Sequence, residues 1–196
     1  VSELIWRDFY KMICFQYPHV SRALPFKKET SALQWHNDPK HITAWQAGQT
    51  GVPIVDAAMR QLNETGWMHN RLRMIVAMYL SKNLWCDWRI GEAYFASKLI
   101  DWDFASNNGG WQWSASTGTD AAPYFRIFNP ISQSERFDPE GNFIKKYCPE
   151  LRGANKKNIH DPYQRGWLQS DYPKPLVDLK STRAYAIEAF KQLKSV

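Results

Sequence analysis

The chain has 196 residues, of which 44% are hydrophobic and 22% are charged, with a net charge of +6. This length suits one sizeable domain, and the apolar content excludes a disordered tail or a collagen-like repeat. The basic excess favours an anionic partner such as nucleic acid, although simple solubility explains it about equally well.

Helical periodicity recurs along the chain, and no period-two strand pattern stands out. The first helix is predicted over residues 3–17 and a loop over residues 21–34. Proline at the start and glycine at the end define helices at residues 38–48 and at residues 53–62, the latter closed by Gly66. Further helices are predicted at residues 68–83, 91–100, 142–147 and 181–194. We therefore predict an all-α domain with long functional loops.

Three scattered cysteines without a CxxC pair argue against a disulfide framework and against a cysteine-built metal site. We expect no metal and a reducing, cytoplasmic location. The longest apolar stretch, residues 74–80, is too short to cross a bilayer, so we expect no membrane association. Because the chain opens inside a predicted helix without a methionine or a signal peptide, we expect it to be a fragment of a longer protein.

Aromatic residues are abundant, with 10 Trp, 9 Tyr and 10 Phe. Core packing explains part of this content, because each indole carries a large apolar area. It explains clusters such as Trp111-Gln112-Trp113 less easily. Aromatic rings in a basic protein are also what stacking on nucleic-acid bases or on a flavin requires.

Two segments carry groups suited to a ligand. On a helix, Asn70, Arg73 and Met74 share one face, which is as compatible with an exposed surface as with a site. Residues 101–113 combine two carboxylates, amides, indoles and the pair Gly109-Gly110, which permits close backbone approach or positive φ. We interpret this segment as a loop for a planar, hydrogen-bonding ligand, partly because acids at a helix C-terminus would oppose the helix dipole.

The segments SELIWRDFY (residues 2–10) and TGWMHNRLRM (residues 65–74), together with residues 107–129, resemble the DNA photolyase/cryptochrome family. Within it they are most similar to the C-terminal helical domain of the bacterial class I branch that acts on cyclobutane pyrimidine dimers. The resemblance covers residues 1–196 and implies part of the FAD-binding domain of an enzyme, a carbon–carbon lyase. It also implies that an N-terminal α/β antenna domain, with a folate or deazaflavin chromophore, and the FAD phosphate loop lie outside this chain.

The resemblance implies a set of flavin contacts. Arg73 and Asp101 would pair beside the isoalloxazine. Asn107 would face flavin N5, where a neutral amide favours the reduced cofactor. The implied FAD contacts are Trp67, Asn70, Arg73, Asp101, Trp102, Asp103 and Asn107.

Three tryptophans, Trp35, Trp88 and Trp111, match the family's chain of indoles that conducts an electron to the flavin. For each one singly, core packing is the better interpretation. Their joint match to the family favours electron transfer, and with Asn107 they form the implied catalytic set.

The resemblance also implies DNA contacts. Trp6 and Trp113 would flank the bases of a flipped-out dimer. Cations and amides nearby would hold the DNA backbone. The implied dimer pocket is Glu3, Trp6, Asn70, Met74 and Trp113, and the implied backbone contacts are Arg7, Arg71 and Gln133.

One pair of positions separates substrate classes. Relatives that repair the (6-4) photoproduct carry two histidines where this chain has Asn70 and Met74, and His69 points to another face. The resemblance therefore implies light-driven repair of cyclobutane dimers in DNA, with an electron from excited reduced FAD. A cryptochrome photoreceptor and a flavin-free DNA-binding fragment stay open as alternatives. We expect the parent protein to be a monomer and the isolated chain to self-associate through bare apolar surface.

Overall fold

The computed structural model describes residues 2–121, 125–167 and 171–193, and within them it contains nine α-helices and no β-strand. The predicted all-α class is confirmed. The helices are α1 Ser2–Gln16, α2 Pro39–Ala47, α3 Pro53–Thr65, α4 Asn70–Met78, α5 Trp88–Lys98, α6 Phe104–Ala115, α7 Pro130–Phe137, α8 Asn142–Tyr147 and α9 Leu179–Leu193. The predicted loop at residues 21–34 contains the 3-10 turn Lys28–Ala32.

The boundaries predicted from proline and glycine are confirmed in α2 and α3. The Asp38 carboxylate accepts a hydrogen bond from the Lys40 amide at 2.8 Å and so caps α2. Gly48 and Gly66 follow α2 and α3 with φ of +64° and +68°. Glycine adopts this left-handed conformation without a steric penalty, so each helix stops there.

The single amphipathic helix predicted over residues 68–83 is wrong in two respects. The α-helical part, α4, ends at Met78, and the π-helical turn Tyr79–Asn83 follows it. Residues 75–83 are all buried, so this part of the helix has no solvent-exposed face. A helix enclosed on every side needs no polar stripe, which is why its periodicity misleads.

The segment predicted as a ligand-binding loop, residues 101–113, is mostly helix α6. The Asp103 carboxylate caps α6 by accepting from the Ser106 amide at 3.0 Å. It therefore lies at a helix N-terminus, where a carboxylate is favourable, and the predicted conflict with a helix dipole does not arise. Neither Gly109 nor Gly110 has positive φ. Close approach is the real requirement at Gly109, where a Cβ would lie 2.0 Å from the ring of Tyr10.

The remaining helices show how well local signals define an element. Helix α8 has the predicted bounds, and α9 begins at Leu179, near the predicted start at Ser181. Helix α5 begins at Trp88 rather than Gly91, because the Asp87 carboxylate caps it. Helix α7 was not predicted, although Asn129 caps it by accepting from the Ile131 amide at 2.9 Å.

The core forms where α3 packs against α2, α4 and α8. Its buried carboxylate, Asp56, accepts hydrogen bonds from the Thr50 amide at 2.7 Å, the Gly51 amide at 3.0 Å and the Tyr172 hydroxyl. No helix in the described ranges is long and apolar enough to span a membrane. The same ranges contain no group of three His, Cys, Asp or Glu side chains placed to hold a metal, and the three cysteines are free.

Candidate functional site

Helix α6 is the element around which most predicted site residues gather, because it packs against α1, α4 and α5. The loops before α4 and α6 supply the other residues nearby. In these elements lie Glu3, Trp6 and Arg7 on α1; Trp67 before α4; Asn70, Arg71, Arg73 and Met74 on α4; Asp101, Trp102 and Asp103 before α6; and Asn107, Trp111 and Trp113 on α6. Three predicted residues, Trp35, Trp88 and Gln133, lie elsewhere.

The predicted pair of Arg73 and Asp101 is present. Arg73 Nη2 lies 3.0 Å and 2.8 Å from the two Asp101 carboxylate oxygens. Arg73 Nε donates to the Met68 carbonyl at 2.7 Å, which fixes the guanidinium plane. The side chains are 26% and 45% exposed, so both groups keep a face toward solvent or a ligand.

Asn107 presents a carboxamide whose orientation is fixed by the protein. Its Nδ2 donates to the Glu92 carbonyl at 3.0 Å. Within the described residues no donor contacts its Oδ1. The amide oxygen is thus the atom left to accept a hydrogen bond from a ligand N–H.

A buried polar network behind Asn107 joins α5 to α6 and was missed in the sequence. The Glu92 carboxylate accepts from Asn108 Nδ2 at 2.8 Å, and Asn108 Oδ1 accepts from Gln112 Nε2 at 2.9 Å. Burial raises the pKa of Glu92, while the Asn108 bond acts against that rise. The only sequence signal is one carboxylate within the otherwise apolar and aromatic middle of α5.

Asp103 is used locally, in contrast to Asp101. Its carboxylate accepts from both the amide and the hydroxyl of Ser106, at 3.0 Å and 2.8 Å. The backbone bond from Ser106 is the main reason why the pKa of Asp103 is lowered. This side chain therefore caps the N-terminus of α6, and any contact with a cofactor would be additional to that role.

Apolar side chains around these polar groups are unusually exposed. Trp67 and Trp102 are 43% and 45% exposed. Helix α1 has no buried residue at all, although it carries Leu4, Ile5 and Trp6. Exposed indoles beside oriented hydrogen-bonding groups are the surface that a large planar ligand would cover.

Tyr10 links Trp6 on helix α1 to helix α6. The Trp6 ring stacks on Tyr10 with centroids 6.0 Å apart. Tyr10 in turn lies against Gly109 of α6. Burial, with a smaller contribution from Asp120, raises the pKa of Tyr10 to about 12.

Trp113 is contacted by a cation that was not predicted. The Arg126 guanidinium lies 5.7 Å from the Trp113 ring centroid, and its Nε pairs with Asp120 at 3.1 Å. The Phe128 ring meets Trp113 edge-on at 6.5 Å. No local pattern in the sequence pairs Arg126 with an indole.

Trp111, Trp88 and Trp35 are placed differently from one another. Trp111 is buried, and a Cβ on Gly91 would lie 2.0 Å from its ring, so α5 holds the indole closely. Trp88 is also buried, whereas Trp35 is half-buried and meets Trp85 at 5.0 Å. Among the ring contacts of the described residues, none joins two of the three predicted indoles. Their role in electron transfer stays a prediction.

The face of α4 carries Asn70 and Met74 one turn apart, as predicted from their spacing. His69 precedes the helix, and its Nδ1 accepts from the Arg71 amide at 3.1 Å. His69 therefore has a structural role, which is to cap the N-terminus of α4.

A cavity of about 680 Å³ lies apart from these residues, between α7, α9 and the loop before α3. None of the predicted site residues lines it. Most of the predicted residues instead lie on α1, α4 and α6 and in the loops before α4 and α6, where Trp6, Trp67 and Trp102 are part of an open surface. That surface suits FAD, because Asn107 offers a fixed acceptor, Arg73 and Asp101 offer a charged pair, and two exposed indoles can cover a flat ring.

The chain is similar in sequence to a known protein family and to proteins of known name. The family described as "FAD binding domain of DNA photolyase" matches residues 1–192. A deoxyribodipyrimidine photo-lyase of Escherichia coli is 55% identical over 97% of this chain, and the match covers 41% of that protein. The chain therefore spans well under half of this relative's length.

Two solved structures are also similar. An archaeal photolyase from Sulfolobus tokodaii, solved with two FAD molecules, has a TM-score of 0.91 and 44% identity, covering 97% of this chain and 43% of that one. A cryptochrome from Synechocystis has a TM-score of 0.86 and 38% identity, covering 95% of this chain and 40% of that one.

Proposed function

This chain belongs to the family of FAD-binding domains of DNA photolyases, and on that premise we propose that it forms the flavin- and DNA-binding part of a cyclobutane pyrimidine dimer photolyase. The observation that carries the proposal is the Asn107 amide, whose Nδ2 is held by the Glu92 carbonyl while its oxygen has no donor among the residues that the structure describes. The oxygen of an amide held in this way can accept a hydrogen bond from a ligand N–H without placing a charge beside it.

The chemistry that FAD supplies when bound is light absorption and donation of one electron. Arg73 and Asp101 would bind its polar edge as one preformed unit, and Asn107 would accept its N–H. Trp67 and Trp102 would cover apolar parts of the cofactor and exclude water. Trp35, Trp88 and Trp111 would serve as electron carriers; Trp88 and Trp111 are buried, and Trp111 packs closely on Gly91.

The substrate we propose is a pyrimidine dimer flipped out of DNA. Trp6 is half exposed on α1, and Trp113 is set on α6 by Arg126 and Phe128, so both can replace lost base stacking. Glu3 and Asn70 would bind base edges, and Met74 would supply an adaptable apolar contact. The positions that carry histidines in relatives that repair the (6-4) photoproduct are Asn70 and Met74 here, and neither side chain can act as the acid that this repair needs.

A photoreceptor of the cryptochrome type is the second candidate, favoured by the similarity to the Synechocystis cryptochrome. A receptor needs the flavin site but not a pocket for damaged bases. The two functions therefore differ in the role of Trp6 and Trp113. A direct assay of light-dependent DNA repair distinguishes the two functions.

The test uses the intact protein with FAD and a DNA oligonucleotide that contains one cyclobutane dimer. Visible absorption first establishes that flavin is retained, and dimer loss is then followed in light and in darkness. We expect light-dependent repair, and we expect Trp6→Ala to weaken binding to dimer-containing DNA by one to two orders of magnitude, since base–aromatic stacking contributes about 1–3 kcal/mol.

Phe15→Ala is the matched control, because Phe15 is an 87% exposed aromatic residue on the same helix. It should leave dimer binding unchanged. Flavin retention without light-dependent repair would reject the photolyase and favour the receptor. Equal affinities for Trp6→Ala and the unmodified protein would reject the proposed pocket.

A further inference from the structure

The cavity of about 680 Å³ between α7, α9 and the loop before α3 takes no part in the proposed function. Its volume lies within the range of about 300–1,000 Å³ that is typical of small-molecule sites. The lining comes from segments that are distant in the chain, namely residues 51–53, 127–131, 160–164 and 175–187, together with Asn83. We call this hollow the α9 cavity.

Apolar side chains form much of the wall of the α9 cavity. Among them are Val52, Ile127, Phe128, Pro130 and Ile187. Phe128 contributes an aromatic ring, on which a flat ligand can stack. The wall therefore suits a ligand with a planar, largely apolar body.

Asn83 gives the cavity a hydrogen-bonding group whose orientation is fixed. The residue is only 5% exposed, and its Nδ2 donates to Thr182 Oγ1 at 3.0 Å. Its Oδ1 is buried and has no hydrogen-bond partner within the described residues. An unsatisfied buried acceptor is costly, so a ligand N–H at this wall would gain a partner that the protein does not supply.

Asp161 adds a second acceptor to the lining. In the part of the chain that the structure describes, its carboxylate accepts one hydrogen bond, from the Gln164 amide at 3.3 Å. An ionised carboxylate can accept about four, so most of its capacity is unused. The other acid of the lining, Asp178, is already engaged. It accepts from the Ser181 amide at 2.7 Å, and this bond, with a smaller contribution from the Lys180 charge, lowers its pKa.

Helix α9 supplies a cation to the same cavity. Four lining residues lie three or four positions apart on this helix and therefore share one face: Lys180, Arg183, Ala184 and Ile187. Arg183 forms no ion pair with any carboxylate of the described ranges. Its guanidinium offers paired donors in a planar fork, which matches a phosphate.

We propose that the α9 cavity binds a guanine nucleotide, whose base donates N–H groups to Asn83 and Asp161 and whose phosphate is bound by Arg183. Guanine fits because its N1–H and N2–H₂ groups lie side by side, so that one carboxylate can accept from both. A fatty acid would leave both acceptors without donors, and a cationic ligand would be repelled by Arg183. The inference does not depend on the proposed function, because none of these three residues belongs to the flavin or dimer site.

The experiment is isothermal titration calorimetry of the intact, FAD-loaded protein with GMP, guanosine, AMP and ribose 5-phosphate. We expect guanosine, which lacks the phosphate, and AMP, which lacks a ring N–H, each to bind about tenfold more weakly than GMP. Arg183→Gln should bind GMP about tenfold more weakly and should no longer distinguish GMP from guanosine. Asp161→Asn should weaken GMP and guanosine alike and leave ribose 5-phosphate unchanged.

Arg22→Gln is the matched control, because Arg22 is an exposed arginine outside the cavity lining that forms no ion pair among the described residues. It removes the same charge and should leave GMP binding unchanged. Equal GMP affinity in the unmodified protein, Arg183→Gln and Asp161→Asn would place the nucleotide elsewhere and reject the proposal. Absence of GMP binding, or equal affinity for AMP, would also overturn it. Light-dependent repair, measured on the same samples, tests the proposed function separately and should be the same in every variant.

Discussion

Lys82 is the most unusual single residue outside the proposed site. It is fully buried in the π-helical turn after α4, and its Nζ donates to Ser116 Oγ at 2.7 Å and to the Arg126 carbonyl. The amino group also lies 4.6 Å from the Phe125 ring centroid. It thus connects the end of α6 to the segment that sets Arg126 over Trp113. Burial lowers the pKa of Lys82 from 10.5 to about 7.

This pKa predicts how stability depends on pH. Between about pH 7 and 9 the unfolded chain keeps the Lys82 proton while the folded chain releases it, so the free energy of unfolding gains about 1.4 kcal/mol per pH unit from this group. Lys82→Met should remove that gain, as measured by urea unfolding at a series of pH values. Lys157→Met, at an exposed lysine, should keep it. Parallel pH profiles for both variants and the unmodified chain would contradict a buried, titrating Lys82.

Residues differ in how far their sequence context reveals them. Arg73 and Asp101 are 28 positions apart, and only resemblance to a family could suggest that they meet. Lys82 has an ordinary lysine's sequence signature, since nothing local shows that a π-helical turn will enclose it. The cap Asp38 shows the opposite case, because its capping bond spans only two residues. A contact between residues that are close in the chain can be predicted from the sequence, whereas burial by residues that are distant in the chain cannot.

At the scale of elements, α6 is the helix for which the composition gave the least accurate prediction of secondary structure. Its residues include Gly109, Gly110 and two asparagines, which favour turns over helix. The helix forms because α1, α4 and α5 pack around it and because the Asn108 network joins it to α5. Tertiary packing supplies most helical stability in proteins, so propensity alone gives the wrong answer here.

Adjacent glycines in α6 provide a matched test of this packing. Gly109→Ala would place a Cβ 2.0 Å from the Tyr10 ring, so α1 must shift, and we expect a loss of about 1–3 kcal/mol in the free energy of unfolding. Gly110→Ala meets no atom within 4 Å and should be neutral or stabilising by up to about 1 kcal/mol. Urea unfolding of the two variants measures the difference. Similar values for both would show that α1 does not depend on contact with Gly109.

At the scale of the whole molecule, the described surface is both basic and locally apolar. Helix α1 packs on α6 yet buries none of its own residues, and the exposed indoles Trp67 and Trp102 add to the apolar area. The fold class was predictable because helical periodicity persists over most of the chain. The open character of the site was not predictable, because the pattern of an amphipathic helix does not reveal whether another element covers its apolar face.

This exposed face predicts the behaviour of the 196-residue chain in isolation. Apolar surface of such extent favours association, so we expect a light-scattering mass above 22.9 kDa that rises with protein concentration. Phe15→Glu places a charge at an 87% exposed position of α1 and should shift the chain toward monomer. Asn142→Glu adds the same charge at an exposed polar position and should leave the mass unchanged. A concentration-independent mass of 22.9 kDa for the unmodified chain would show that α1, although exposed, is not an adhesive surface.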